Sequence, residues 1–224
     1  SNESERHAHL SDSDIGSIHY RAQEVQPGGM FVAIEGQMAD GHDFMHQALK
    51  RGAAAIITQK EPPQPFLNDI SAASPKNRPI IIRVPNTRQA LADLAACFYH
   101  HPSEHMQLIA ITGTNGKTTV SYLMEAMLRQ AGLSAGVIGT VTYRHGHHEV
   151  PASRTTPESL DLQRILADMR HHGVTHVVME VASHGLDLPL LVHRPGYGEV
   201  LPHRKFRQGR EQREQLRGGS AVSF

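Results

Sequence analysis

Short apolar runs alternate with amphipathic ones along most of the chain. GGMFVAIEG (28–36) is an apolar run closed on both sides by glycine, which predicts a short buried strand. DFMHQALKRGAAAIIT reads as a helix ending at Arg51-Gly52, followed by a second buried strand over Ala53–Thr58. The proline-rich, polar stretch EPPQPFLNDISAASPKN is predicted to be a loop. RPIIIRV is another strand, and TRQALADLAACFYHH is an amphipathic helix stopped by Pro102. Alternation of strand and helix makes residues 1–105 an α/β domain.

A second α/β segment, 106–188, opens with strand LIAIT, turn GTNGK and helix TTVSYLMEAMLRQAG. Val120, Leu123, Met127 and Leu128 recur at helical spacing, and Gly132 suits a C-cap. Strand SAGVIGTV completes a strand–loop–helix–strand unit, which puts GTNGK at the carboxyl edge of a parallel sheet. A helix over 157–173 and a strand, THVVMEVA, follow, and there is no internal repeat. After Leu188 the periodicity stops. LPHRKFRQGREQREQLR (201–217) is arginine-rich and writes neither a buried strand nor an amphipathic helix. Residues 189–224 are expected to be a solvated basic tail rather than a patch for an anionic partner, because charge blocks usually solvate.

Charge and composition narrow the class. Lys+Arg and Asp+Glu balance at 22 each, so no global charge points to nucleic acid. The one cysteine, Cys97, excludes an internal disulfide framework and fits a reducing compartment. No apolar run reaches the ~18 residues of a membrane span, and the polar start SNESERHAHLSDSD is unlike a signal peptide. The expectation is a cytoplasmic monomer that has been processed, tagged or cut from something longer. Histidine is abundant at 17 residues, with HH pairs and the stretch RHGHH at 144–148. No acidic or cysteine partner stands at a ligand spacing, so RHGHH is read as a solvated hairpin loop rather than a metal site.

The chemistry concentrates in ITGTNGKTTV (111–120). A glycine-rich turn entering a helix offers unpaired backbone N–H groups to an anion, aided by the helix dipole. Lys117 can reach the β- and γ-phosphates of a nucleotide, and the Thr118 hydroxyl can join a Mg²⁺ shell. The usual P-loop spacing would need glycine at 111, where Ile111 stands; Gly113 and Gly116 mark a shorter variant. Gly113, Thr114, Asn115, Gly116, Lys117, Thr118 and Thr119 are the predicted ATP contacts. Glu180, at the end of strand THVVME, is the metal-side candidate with Thr118. His184 is placed either to hydrogen-bond a ligand oxygen or to cap its turn.

GTNGKTT, GVIGT, RTTPES and VMEVASHGL together resemble the ATP-dependent Mur ligases, which build the peptide of peptidoglycan precursors. FVAIEGQMADGHDF, the ALKRGAAAII helix–strand and ASRTTPES resemble the MurE branch, whose members add the third amino acid to UDP-N-acetylmuramoyl-L-alanyl-D-glutamate. The resemblance covers about residues 14–188. It implies a uridine-binding amino-terminal domain and an incomplete P-loop-type parallel-sheet ATPase domain, with the carboxyl-terminal domain absent. It also implies transfer of the ATP γ-phosphoryl group to a carboxylate with Mg²⁺, then attack by the amine of meso-diaminopimelate or L-lysine on the acyl phosphate. Lys117, Glu180 and His184 are the implied catalytic set. Thr155, Thr156 and Ser183 are the implied contacts to the muramoyl dipeptide, and Tyr20, Ala22, Gln37, Met38 and Ala39 those to the uridine nucleotide.

The chain departs from the family pattern in three places. Arg21-Ala22-Gln23 stands where Asp-Ser-Arg is usual, and Ala182 where a serine is usual. The histidine- and lysine-bearing motifs expected after SHGL do not follow Leu188, which suggests a truncated or frameshifted ligase, inactive by itself. Two other readings compete: a non-catalytic nucleotide- or UDP-sugar-binding module, and a folylpolyglutamate synthase relative. The FVAIEG…DGHDF segment speaks against the latter.

Overall fold

The computed structural model describes residues 15–36, 39–74, 78–152, 155–182 and 222–223, and divides the chain into two compact units, Ser1–Leu91 and Ala92–Phe224. In the first unit, β1 (Ile18–His19), β2 (Met30–Val32), β3 (Ala55–Thr58) and β4 (Ile80–Arg83) form a four-stranded sheet in that order. Every pairing is parallel, with Met30 beside Ala55 and Ala55 beside Ile80. Such a sheet needs apolar strands because both faces tend to be covered, and Phe31, Val32, Ile56 and Ile57 are all buried. Helix α1 (Met45–Lys50) contributes Met45 and Ala48 to the core around Phe31 and Ile56.

The stretch expected to be a loop contains a helix instead, α2 (Gln64–Ala72). Its prolines sit at the N-cap and first turn, where a missing N–H leaves no intrahelical bond unmade. Phe66 is fully buried in the first unit's core, so tertiary burial of one aromatic ring outweighs a composition that reads as loop. Phe66→Ala is expected to destabilise the first unit by about 3–5 kcal/mol, seen as an earlier urea transition of that unit.

An ion cluster holds the turn around Asp40. Lys60 reaches both Glu35, at 2.8 Å, and Asp40. His42 accepts the Gln59 N–H at Nε2 (3.2 Å), so its Nδ1 carries the proton and donates to Asp40. Burial works to raise the Asp40 pKa, but hydrogen bonds from Lys60 and His42 outweigh it and hold the carboxyl well below the usual carboxylate range.

Helix α3 (Thr87–Phe98) runs across the division into the second unit. There β5 (Gln107–Thr112), β6 (Ala135–Ile138), β7 (Thr142–His145), β8 (His148–Pro151), β9 (His176–Glu180) and β10 (Val222–Ser223) form one sheet in the order β10-β5-β9-β6-β7-β8. Strands β5, β9 and β6 are parallel, and β7 and β8 add an antiparallel hairpin at the edge. Strand β9 lies between the two strands of the predicted unit, so Glu180 pairs with Ile111 at the mouth of the glycine-rich turn.

Two helices cover opposite faces of this sheet, as the period-2 alternation of its strands requires. Helix α4 (Lys117–Gln130) packs Val120, Met124 and Leu128 on Ile111, Val137 and Val178. Leu162, Leu166 and Met169 of α5 (Ser159–His171) pack on Ile138, Val177 and Met179. Of the residues singled out for helical spacing in α4, Leu123 and Met127 instead face outward, 60% and 66% exposed. The i, i+4 row 120–124–128 meets the sheet, and Met124 takes the inward place.

Beyond the stretch 201–217, which lies outside the described residues, Val222–Ser223 form β10, which runs parallel to β5 beside Ile111 and Thr112. No helix among the described residues is long and apolar enough to cross a membrane.

Candidate functional site

The glycine-rich turn leaves β5 at Thr112 and enters α4 at Lys117. Gly116, the N-cap, sits in the left-handed region (φ 79°), which a residue with a Cβ adopts only with strain. It has no side chain to cap the helix, so no side-chain acceptor at the N-cap competes for the first-turn N–H groups. The Lys117 ammonium folds back and donates to the Gly113 carbonyl at 2.8 Å, which keeps its charge at the turn.

Glu180 is 1% exposed and is the focus of three hydroxyls. Thr118 Oγ1 donates to Oε2 at 3.1 Å, Thr140 Oγ1 to the same oxygen at 2.8 Å, and Ser121 Oγ reaches Oε1 at 3.2 Å. Ser121 Oγ also lies 2.8 Å from the Thr118 carbonyl, so its single proton is shared. Among the described residues no lysine, arginine or histidine forms an ion pair with Glu180. A buried carboxylate offset only by hydroxyl dipoles is unfavourable by itself and favours a nearby cation. Carboxylate and hydroxyl oxygens are the donors a hard divalent ion such as Mg²⁺ prefers, so the residues present fit that ion. Gly139 completes the enclosure, since a Cβ there would lie 2.9 Å from Glu180 Oε1.

The structure therefore brings together Gly113, Gly116, Lys117, Thr118 and Glu180, with Thr114, Asn115 and Thr119 on the same turn and first helical residues. Ser121, Gly139 and Thr140 join them without having been singled out in the sequence. Ser121 lies three residues after Thr118 and so shares its helix face, a spacing legible in advance. Thr140 and Gly139 belong to GVIGT, but their role needs the strand order, which sets β6 beside β9.

Thr156 Oγ1 accepts the Ala182 N–H at 3.0 Å and is largely buried, tying its segment to the residues just after β9; Thr155 precedes it, half-buried. In the first unit the Arg21 guanidinium stands 5.1 Å from the Tyr20 ring centroid. Ala22 is buried in the apolar core, so its methyl group serves packing. Ala39 is exposed, and its carbonyl accepts the Gly36 N–H at 2.9 Å. Gln37, Met38, Ser183 and His184 lie outside the described residues.

Comparison with known proteins adds the family. Residues 14–99 match the Mur ligase family, catalytic domain, and residues 111–195 match the Mur ligase middle domain. The second match carries the resemblance past Leu188, where the sequence pattern had been read as ending. A UDP-N-acetylmuramoyl-L-alanyl-D-glutamate--2,6-diaminopimelate ligase from Alkaliphilus metalliredigens is 42% identical over 175 residues, covering 78% of this chain and 33% of that protein. The ligase of the same name from Geobacter sulfurreducens is 41% identical over 174 residues, covering 78% of this chain and 32% of its own length. The chain thus spans about a third of the length of these curated relatives. A solved structure of a ligase of that name has the same fold over 77% of this chain and 33% of its own, with TM-score 0.59 and 23% identity. With two family models covering consecutive parts of it, the chain belongs to the Mur ligase family and carries that family's amino-terminal and middle domains.

Proposed function

We propose that this chain supplies the UDP-sugar-binding and ATP-binding portions of a cytoplasmic ligase that adds the third amino acid to UDP-N-acetylmuramoyl-L-alanyl-D-glutamate in peptidoglycan precursor synthesis. The observation that carries the reading is the buried Glu180 carboxylate. It is ringed by Thr118, Ser121 and Thr140 hydroxyls, beside a glycine turn that holds Lys117. The domain limits proposed are 1–105 for the sugar nucleotide and 106–188 for ATP.

In this reading the turn N–H groups and Lys117 bind the polyphosphate of ATP. Thr118 and Glu180 would hold Mg²⁺, which neutralises phosphate charge when bound. The substrate carboxylate attacks the γ-phosphorus and ADP leaves; the incoming amine then displaces phosphate from the acyl phosphate and an amide forms. Two anions must be brought together before any bond changes, so cationic neutralisation outweighs the need for a protein nucleophile. Lys117 orients and neutralises the phosphates in both steps. Thr155, Thr156 and Ser183 are proposed as contacts to the dipeptide, and His184 as a member of the catalytic set with Lys117 and Glu180. Tyr20, Ala22, Gln37, Met38 and Ala39 are proposed to face the uridine end, where Ala22 can contribute only backbone groups. Diaminopimelate is the favoured amino acid, because the relatives at about 40% identity carry it in their names.

Thermal denaturation of the purified chain with each ligand tests this. ATP with Mg²⁺ and, separately, UDP-N-acetylmuramoyl-L-alanyl-D-glutamate should each stabilise it, by about 2.7 kcal/mol at a hundredfold excess over Kd. Stabilisation by ATP and a folate but not by the uridine nucleotide would move the assignment to a folylpolyglutamate synthase relative. No response to either nucleotide would end the proposal.

A further inference from the structure

The RHGHH stretch takes no part in the phosphate site, yet the fold gives it partners that the linear sequence does not. Strands β7 and β8 set His145 and His148 opposite each other as a cross-strand pair, with rings stacked at 5.2 Å between centroids. The carboxyl-terminal end of α5 reaches the same place. The His172 ring lies 4.8 Å from the His145 ring and 4.8 Å from the His148 ring. Asp168, one helical turn before His172, is 3.0 Å through Oδ2 from His145 Nε2. Ligand atoms of His145, Asp168 and His172 all lie within 4.8 Å of one another.

We propose that His145, Asp168 and His172, with His148 as the fourth donor, form a structural site for a divalent transition-metal ion of the Zn²⁺ type. Three observations beyond proximity support it. First, imidazole nitrogens with one carboxylate oxygen suit Zn²⁺, Co²⁺ or Ni²⁺ and not Mg²⁺, so this site and the phosphate site would select different ions.

Second, the tautomer of His172 is fixed by a neighbouring carbonyl. Its Nδ1 lies 2.9 Å from the Asp168 carbonyl oxygen, which can only accept, so Nδ1 carries the proton and Nε2 the free lone pair. Metal-bound histidines commonly hold their tautomer in this way, through a carbonyl or carboxylate on the far nitrogen.

Third, the electrostatics favour a cation. Asp168 and the negative end of the α5 dipole converge on a buried His145. Donors around tetrahedral Zn²⁺ stand about 3.3 Å apart, as bonds of about 2.0–2.1 Å dictate. The His145–Asp168 separation is already of that size. Asp168 and His172 are exposed, so their side chains can turn to close the remaining gap and an ion can enter.

The ordinary account is a stacked histidine pair on a hairpin with a surface ion pair to Asp168. That account predicts weak metal binding spread over many of the chain's 17 histidines. A second cluster, Glu35, Asp40 and His42, lacks the same merit because the Lys60 ammonium already occupies it. Bound metal at the hairpin would join the sheet's edge to α5.

The test uses the full chain, stripped with EDTA and titrated calorimetrically with Zn²⁺ at neutral pH in excess Mg²⁺ and without nucleotide. One Zn²⁺ should bind per chain with micromolar or tighter affinity, and Co²⁺ in its place should give the intense visible bands of tetrahedral coordination. His172→Gln and His148→Gln should each weaken Zn²⁺ binding by about 100-fold or more, at the upper end of what even second-shell losses produce. Their circular dichroism and response to ATP should stay as in the parent. His147→Gln, in the turn of the same hairpin, should bind as the parent does. Binding without fixed stoichiometry, or a His172→Gln protein that binds as tightly as the parent, overturns the site.

Discussion

Lys117→Ala is expected to weaken Mg²⁺·ATP binding by about 100-fold, equivalent to ~2.7 kcal/mol, and to leave the fold intact. The lysine is half-buried at the helix entry, and its side-chain hydrogen bond to the Gly113 carbonyl is local to the turn. Its removal therefore opens no core cavity. A phosphate bound at the turn would lose a charge-assisted hydrogen bond, which is worth more than a neutral one. Arginine should not rescue the loss, because a planar fork cannot replace a compact ammonium between the turn and a phosphate. Calorimetric titration of the variant, with circular dichroism as a check on folding, reads both parts. An unchanged affinity would remove the phosphate reading of GTNGK.

Glu180→Gln should act on the metal rather than on the fold. The substitution preserves volume and removes a buried negative charge that no described cation offsets. Two effects then oppose each other in the unliganded protein. Deleting an uncompensated charge is favourable, whereas the Thr118, Thr140 and Ser121 hydroxyls lose the strength of bonds to a carboxylate. The expected result is a stability within about 1 kcal/mol of the parent, since hydroxyls can turn to the remaining amide oxygen. The ligand response should be much larger. ATP affinity in the parent should rise strongly with Mg²⁺, and in the variant that rise should fall by about 100-fold, or ~2.7 kcal/mol. Titrations with and without Mg²⁺ give the ratio directly. An undiminished Mg²⁺ effect would place the metal away from Glu180.

Both predictions rest on a site only partly written in the chain's order. The turn was legible because its chemistry is local: glycine at a left-handed position, a lysine at the helix entry and hydroxyls in the first turn follow one another in GTNGKTT. Glu180 was recognisable as a strand-end carboxylate. Its contact with Thr118, 62 residues away, depends on β9 inserting between β5 and β6. The same insertion makes Thr140 a partner and leaves Gly139 no room for a Cβ.

Local pattern by itself determined most of the alternation of strands and helices, the parallel strands of the second unit and the glycine-rich turn. Each of these depends on spacing within a few residues, where backbone geometry and side-chain periodicity act directly. The tertiary structure decided the rest. It folded a proline-rich stretch into α2 because Phe66 had a core to enter, and it turned Met124 rather than Leu123 toward the sheet. It also brought Asp168 and His172 to a histidine hairpin that has no acidic neighbour at ligand spacing in the sequence. Those outcomes depend on which surfaces meet across long separations, and burial and pairing energies settle that only when the whole sheet has formed.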